Sequence, residues 1–175
     1  PTKSDASFGI DEDSVVDDET KLRKKLESLF ESYDQILVEE YIGGREFCIP
    51  TIGYDKTLVL PPLEIDYGEH FIEGPKILSF KAKWSKNSNA FKSTYAKLAE
   101  NLDQKLESSL KSTAKKVFEL LGCSGYATVD VRLDNEGNIF VLEVNPNPYL
   151  AKDSDIVKAA TKAGITPIQL FNKII

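Results

Sequence analysis

Two strand-forming runs, Ala127-Thr128-Val129-Asp130-Val131-Arg132-Leu133 and Ile139-Phe140-Val141-Leu142-Glu143-Val144-Asn145, flank the polar segment Asp134-Asn135-Glu136-Gly137-Asn138. Any fold of this chain must therefore accommodate an antiparallel hairpin near its C-terminal end. Side chains alternate along a strand, so Thr128, Asp130 and Arg132 share one face and Val129, Val131 and Leu133 the other. On the second strand the same rule groups Val141, Glu143 and Asn145 against Phe140, Leu142 and Val144. A two-residue loop at Glu136-Gly137 pairs Asn135 with Asn138. Counting back from it sets Asp130 opposite Glu143 and Thr128 opposite Asn145.

Like charges directly opposed across a sheet repel. A hard divalent ion held by carboxylate and amide oxygens resolves the repulsion, and Mg²⁺ commonly combines one or two carboxylates with phosphate oxygens and water. The alternative is a solvated hairpin face on which Arg132 neutralises Asp130, since antiparallel sheets often turn a polar face to water. The continuation Glu143-Val144-Asn145-Pro146-Asn147-Pro148 favours a site, because a strand that runs into a rigid, proline-punctuated loop holds ligands still.

With 175 residues, 41% apolar and 29% charged, the sequence has the composition of a soluble globular protein of one or two small domains. No apolar run approaches the roughly 20 residues of a membrane span and no signal peptide is evident, so no membrane partner is expected, while two cysteines that read as free thiols suggest a reducing cytoplasm. A net charge of -6 with dispersed basic residues argues against nucleic acid as a partner. Cys48 and Cys123 read as buried free thiols, with a disulfide as the alternative. The single histidine, His70, excludes a multi-histidine zinc site and reads as an exposed turn residue. The chain begins at Pro1 and has no methionine, so a fragment or a trimmed product is expected.

Along the chain, Thr2 to Gly9 reads as a loop and Asp11 to Asp18 as an acidic linker. Leu22, Leu26, Leu29 and Phe30 mark a helix with Asp17 or Asp18 as N-cap and one buried stripe. Gln35 to Ile42 reads as a strand that forms a hairpin with Arg45 to Gly53 through Gly43-Gly44. Thr57 to Leu60, Leu63 to Asp66 and Lys76 to Phe80 are extended candidates. Lys81 to Lys97 reads as a long surface loop. Leu98 to Leu121 carries helical spacing and stops at Gly122. Ser154 to Ala163 and a segment opened by Thr166-Pro167 complete the chain. The order of elements predicts an α+β fold with a mostly antiparallel sheet.

The run Gly122-Cys123-Ser124-Gly125-Tyr126-Ala127-Thr128-Val129-Asp130, followed by Val141-Leu142-Glu143-Val144-Asn145-Pro146, resembles the ATP-grasp ligases, most closely the D-alanine–D-alanine ligase branch. Leu37-Val38-Glu39-Glu40-Tyr41-Ile42-Gly43-Gly44-Arg45-Glu46-Phe47 resembles that family's hinge, and Phe80-Lys81-Ala82-Lys83-Trp84 another of its segments. The resemblance implies an ATP-grasp fold, with 1–40 as part of the lid subdomain and 41–175 as the C-terminal subdomain carrying the metal. It implies Asp130, Glu143 and Asn145 as ligands of Mg²⁺ or Mn²⁺. Adenine would meet Glu39 and the backbone of Glu40 and Ile42, ribose would meet Glu46, and phosphate Lys83. The reaction implied is ATP-dependent joining of a carboxylate to an amine through an acyl phosphate, on amino acid or peptide substrates, by a homodimer when intact.

Two departures stand out. The family's phosphate-loop lysine would fall before Pro1, leaving Ser7 and Ser4 as the hydroxyls of that loop, with Ser7 the candidate to act in catalysis. This chain alone is then expected to be inactive. Thr128 stands where the dipeptide-forming ligases carry arginine, and Pro146-Asn147-Pro148-Tyr149 replaces their Thr-x-Pro-Gly. Arg132, on the face of Thr128, is the candidate to supply the missing charge. The reading from another class is a non-catalytic relative that binds nucleotide or a protein partner.

Overall fold

Arg45–Gly53 (β1) is the spine of the sheet. It pairs antiparallel with Leu58–Val59 (β2), Leu63–Asp66 (β3) and Gly125–Leu133 (β5), and β5 pairs antiparallel with Ile139–Asn145 (β6). Tyr95–Leu98 (β4) completes the six strands that the described residues form, in the order β4-β3-β1-β5-β6 with β2 beside β1. The computed structural model describes residues 1–54, 56–71 and 74–175, and the side chain of His70 also lies outside the described residues. Helices are Glu19–Phe30 (α1), Phe80–Trp84 (α2), Asn89–Ser93 (α3), Gln104–Leu120 (α4), Asp155–Lys162 (α5) and Pro167–Ile174 (α6). The expected α+β architecture with a mostly antiparallel sheet is the observed one.

The chain divides into two units, Pro1–Tyr41 with Asp66–Tyr95, and Ile42–Ile65 with Ala96–Ile175. The first break falls one residue from the expected boundary at 40/41. The division differs from a simple cut because 66–95 belongs with the N-terminal segment.

In the second unit each face of β1 and β5 has its own cover. Phe47, Ile49, Val129, Val131 and Leu133 cluster with Leu110 and Ala114 of α4. Ile52, Leu60 and Leu63 cluster with Ile156, Val157, Ala159 and Ala160 of α5 and Leu170 of α6. Each large side chain fully buried this way contributes about 1.5–3 kcal/mol. The register explains the split. Ile52 lies opposite Tyr126, on the face that also carries Cys48, Asp130 and Arg132. Helices α5 and α6 pack on its apolar end.

In the first unit, Asp18 caps α1 by accepting from the Lys21 N–H at 2.8 Å, as expected. Leu22, Leu26 and Leu29 are only half-buried and Phe30 is exposed, so the predicted stripe is shallow. Lys25 bridges Asp11 at 2.6 Å and Asp13 at 3.0 Å. Hydrogen bonds from Asp11 and then Lys25 lower the Asp13 carboxyl to about 2. Segment 81–97 is not the irregular loop expected but holds α2, α3 and the start of β4. Two serines are the reason: Ser79, just before the segment, accepts from the Ala82 N–H and Ser88 from the Phe91 N–H, capping two short helices.

Three further expectations change. Segment 35–42 is not a strand and makes no hairpin with β1, because β1 is already paired on both sides by β5 and by β2 and β3. Lys76 to Ser79 forms no strand, and Phe80 opens α2. Leu98 belongs to β4, and α4 begins six residues later behind Asp103, which accepts from the Leu106 N–H at 2.7 Å. The stops at Gly122 and Gly164 are as expected, each backed by a carbonyl bond from the following residue, Cys123 to Phe118 and Ile165 to Ala160.

Gly44 is a site of backbone necessity. Its φ is +94°, and a β-carbon there would lie 2.1 Å from the Leu133 carbonyl oxygen. A Gly44→Ala change should therefore destabilise the second unit by more than the about 1–3 kcal/mol of left-handed strain alone, measured by urea unfolding. A loss below about 0.5 kcal/mol, a value in the range of neutral surface changes, would show that the bend can relax.

Candidate functional site

The hairpin between β5 and β6 brings the predicted acidic pair together by an unexpected route. Asp134 and Asn138 close a three-residue loop, with the Asp134 N–H donating to Asn138 O at 3.0 Å and Gly137 at φ +89°. Glycine in that conformation at the end of a three-residue loop is a standard hairpin solution. Asp134 Oδ1 accepts from the Glu136 and Asn138 N–H groups at 2.9 and 2.8 Å. These bonds, the Asn138 side chain first, hold its carboxyl below the usual range.

Such a loop alone would place Asp130 opposite Leu142. Instead the ladder runs Leu133↔Ile139, Arg132↔Phe140, Val131↔Val141 and then Asp130↔Glu143, Val129↔Val144, Thr128↔Asn145. Leu142 is the extra residue of a β-bulge. The expected pairing of Asp130 with Glu143 therefore stands, whereas the expected face does not. Phe140 shares the face of Glu143 and Asn145, and Val141 turns to the opposite face with Val144. A bulge bends its strand and re-aims the side chains that follow.

Three rows of this face run across β1, β5 and β6: Glu46, Arg132, Phe140; Cys48, Asp130, Glu143; and Pro50, Thr128, Asn145. Glu143 and Asn145 are exposed, Asp130 is half-buried and Thr128 is buried. Cys48 and Cys123 are both free, as expected, and half-buried. The Cys48 thiol is pushed well above its ordinary value, first by burial and then by the negative charges of Asp130 and Asp155. The row thus sets two carboxylates beside a thiol.

Asn145 anchors the loop beyond it. Its Oδ1 accepts from the Asn147 N–H at 2.9 Å, and the Tyr126 hydroxyl donates to Asn147 Oδ1 at 3.1 Å. An amide oxygen has two lone pairs, so this bond leaves capacity for a cation. Among the described residues no three His, Cys, Asp or Glu side chains gather as a metal site. The donor set here is instead two carboxylates and one amide, which suits a hard, oxygen-seeking ion that keeps water and phosphate ligands.

Arg132 shares the face of Thr128, as the alternation requires. Its guanidinium is bound elsewhere: Nε and Nη2 donate to Glu46 Oε2 at 2.9 and 2.6 Å, and Nη1 donates to the Ile42 carbonyl at 2.7 Å. Both side chains are buried, at 5% exposure for Arg132 and 6% for Glu46. The part expected of Arg132 is to supply the charge that Thr128 lacks; these bonds turn its guanidinium toward Glu46 and Ile42.

Glu39 and Glu40 lie in the first unit and are exposed, as part of segment 35–42, whereas Ile42 and Glu46 belong to the second. Lys83 lies in α2 and is half-buried. Ser7, at φ +62°, donates its hydroxyl to the Leu78 carbonyl at 2.7 Å. A serine has one O–H to donate, so in this arrangement Ser7 has none for phosphate.

Ser154, which sequence reasoning does not single out, is 4% exposed, and its Oγ has no hydrogen-bond partner among the described residues. It is the N-cap of α5 but makes no cap bond. The one signal in the sequence is its place directly before a helix. Because no bond is lost, Ser154→Ala should leave stability within about 0.5 kcal/mol, whereas Thr166→Ala, which removes the cap of α6, should cost about 1 kcal/mol. Thermal melts of the two variants check this, and equal losses would refute it.

An antiparallel sheet of this topology, covered by helices and carrying a carboxylate pair on its open polar face, is the ATP-grasp fold. The family model described as the D-ala D-ala ligase C-terminus matches residues 1–175, and this chain belongs to that family. The uncharacterized protein y4sG of Sinorhizobium fredii is 36% identical over 176 residues, covering 100% of this chain and 49% of that protein. Among solved structures, the VanG D-Ala:D-Ser ligase of Enterococcus faecalis superposes with a TM-score of 0.73 at 25% identity, over 96% of this chain and 45% of that one. The D-alanine–D-alanine ligase of Bacillus anthracis, complexed with ATP, gives 0.68 at 29% identity over 93% and 48%. The chain thus spans about half the length of these proteins.

Proposed function

We propose that this chain is the C-terminal, metal- and nucleotide-holding half of an ATP-dependent carboxylate–amine ligase. The observation that carries the reading is the Asp130–Glu143 pair, set face to face by the Leu142 bulge with Asn145 beside it. Two carboxylates so opposed are unfavourable without a cation. In this reading Asp130, Glu143 and Asn145 hold Mg²⁺ or Mn²⁺, and a bound cation neutralises charge on the phosphoryl oxygens.

In the second unit, this reading gives Glu46 to the ribose hydroxyls and the backbone of Ile42 to adenine; in the first unit, it makes Glu39, Glu40 and Lys83 the nucleotide-binding candidates. The terminal phosphoryl group of ATP passes to a carboxylate oxygen of an amino acid or short peptide, giving an acyl phosphate and ADP. An amine of the second substrate attacks the acyl carbon, and phosphate leaves. No protein nucleophile enters, so catalysis is positioning and electrostatics. ATP supply places the reaction in the cytoplasm. Among the described residues no helix is long and apolar enough to cross a membrane.

Calorimetric titration of this chain with ATP tests the reading. Heat of binding that requires Mg²⁺ is expected. Equal binding with Mg²⁺ and with excess EDTA would overturn the metal assignment, and no binding under either condition would overturn the nucleotide assignment for this half.

A further inference from the structure

The ladder between β5 and β6 ends at Thr128↔Asn145. One step further the same register would set Tyr126 opposite Asn147, but Pro146 and Pro148 have no N–H to donate and the backbone pairing stops. A side-chain bond takes its place: the Tyr126 hydroxyl donates to Asn147 Oδ1 at 3.1 Å. Asn147 carries the only backbone N–H of the segment 146–148, and it donates to Asn145 Oδ1 at 2.9 Å. Two bonds thus lead from Tyr126 to Asn145. The tyrosine end of this path is fixed, because Tyr126 lies opposite Ile52 of β1 and its ring packs on the cluster that Ile52 forms with Leu63 of β3 and Ile156 of α5. Pro148, which follows Asn147, is buried as well.

We propose that Tyr126 is a positioning residue of the cation site, which holds the Asn145 amide, through Asn147, with its oxygen in place for Mg²⁺ or Mn²⁺. The inference rests on the reading that Asp130, Glu143 and Asn145 hold a metal. A side-chain amide has an oxygen end that accepts and a nitrogen end that only donates, and a half-turn about its last bond exchanges them. A hard cation takes the oxygen alone. The Asn147 N–H also takes the oxygen alone, so its bond selects the amide orientation that a cation needs. Tyr126 holds Asn147 by its side chain and buried Pro148 holds it by the backbone, which keeps that N–H aimed at Asn145. Asn145 and Asn147 are both exposed, and water competes for bonds at such groups, so the path adds little to stability and acts on orientation.

The test is the affinity for Mn²⁺, read from the loss of the free ion's electron paramagnetic resonance signal, on this chain, Tyr126→Phe, Asn147→Ala, the two combined, and Glu143→Gln, with melting temperatures taken in EDTA. Tyr126→Phe removes one oxygen and keeps the ring in its core. It should bind Mn²⁺ about three- to tenfold more weakly than the parent, less than the roughly 10–100-fold lost with a ligand's direct partner, because it acts one residue further out. Its melting temperature should move by no more than about 3 °C. Asn147→Ala should weaken binding by a similar factor, and adding Tyr126→Phe to it should change nothing further, since two parts of one path are not additive. A merely structural tyrosine would lower the melting temperature and leave the affinity intact. If Tyr126→Phe binds Mn²⁺ within about twofold of the parent, the proposal is overturned while the metal reading survives. If the two losses multiply in the double variant, Tyr126 acts by another route and the proposal is overturned likewise. If the parent binds no Mn²⁺, or Glu143→Gln binds it equally well, the metal reading fails and takes the proposal with it. Should Tyr126→Phe not fold, Asn147→Ala, which leaves the ring in place, decides by the same limit.

Discussion

Under the proposed ligase reading, Glu143→Gln is expected to lower turnover of the full-length protein by about 10²–10³-fold, the loss typical of removing one preorganised stabilising group, while making the metal-free protein slightly more stable. The two signs have one cause. Glu143 stands directly opposite Asp130 across the β5–β6 ladder, and opposed like charges cost about 0.2–1 kcal/mol. The amide removes that repulsion and keeps the shape of the strand. In the proposed reading it also removes a charged oxygen ligand from the place where phosphoryl charge is neutralised. Melting in EDTA should show an unchanged or higher Tm for the variant. Adding Mg²⁺ should raise the Tm of the parent, since a ligand that binds only the native state stabilises it, and leave the variant unmoved. A parent protein indifferent to Mg²⁺, together with a variant of full activity, would return the pair to the status of a solvated sheet face.

Arg132→Ala should be among the most destabilising single changes in the second unit, at about 3–5 kcal/mol. Glu46 and Arg132 are 6% and 5% exposed and joined at 2.6 Å. A buried carboxylate left without its partner carries an uncompensated desolvation cost. Replacing both, as Arg132→Met with Glu46→Leu, should recover most of that loss, because a well-packed apolar pair of similar size is often as stable as the ion pair it replaces. Urea unfolding of the two single variants and the double variant gives the coupling directly. Additive losses in the double variant would mean that the two side chains are stabilised independently.

Much of the candidate site is legible in the order of residues alone, and for particular reasons. Alternation along Ala127–Leu133 places Thr128, Asp130 and Arg132 together, because the two-residue period of a strand is a property of the backbone. Asp18, Thr166 and the stops at Gly122 and Gly164 are legible because capping involves groups a few residues apart. The pairing of Asp130 with Glu143 follows from the sequence only through two differences that cancel, a loop one residue longer than counted and a bulge one residue deep. Alternation therefore gives the right face for the residues that follow the bulge and the wrong one for Val141, before it. Ser79 and Ser88 are visible as serines, but in a polar, lysine-rich stretch their capping role for α2 and α3 is masked.

By itself the sequence determined what neighbours along the chain settle between themselves: the strand period, the helix ends, the polar turn at Asp134–Asn138 and the oxygen donors at Asp130, Glu143 and Asn145. Only the tertiary structure decided which groups separated by many residues meet. It left 35–42 out of the sheet, since a strand exists only where another offers its hydrogen-bonding edge. It joined Arg132 to Glu46, 86 residues apart, and so turned an expected catalytic charge into the partner of a carboxylate. A side chain's charge and reach are written in its residue type, but its partner is set by register and burial, and these are properties of the whole sheet.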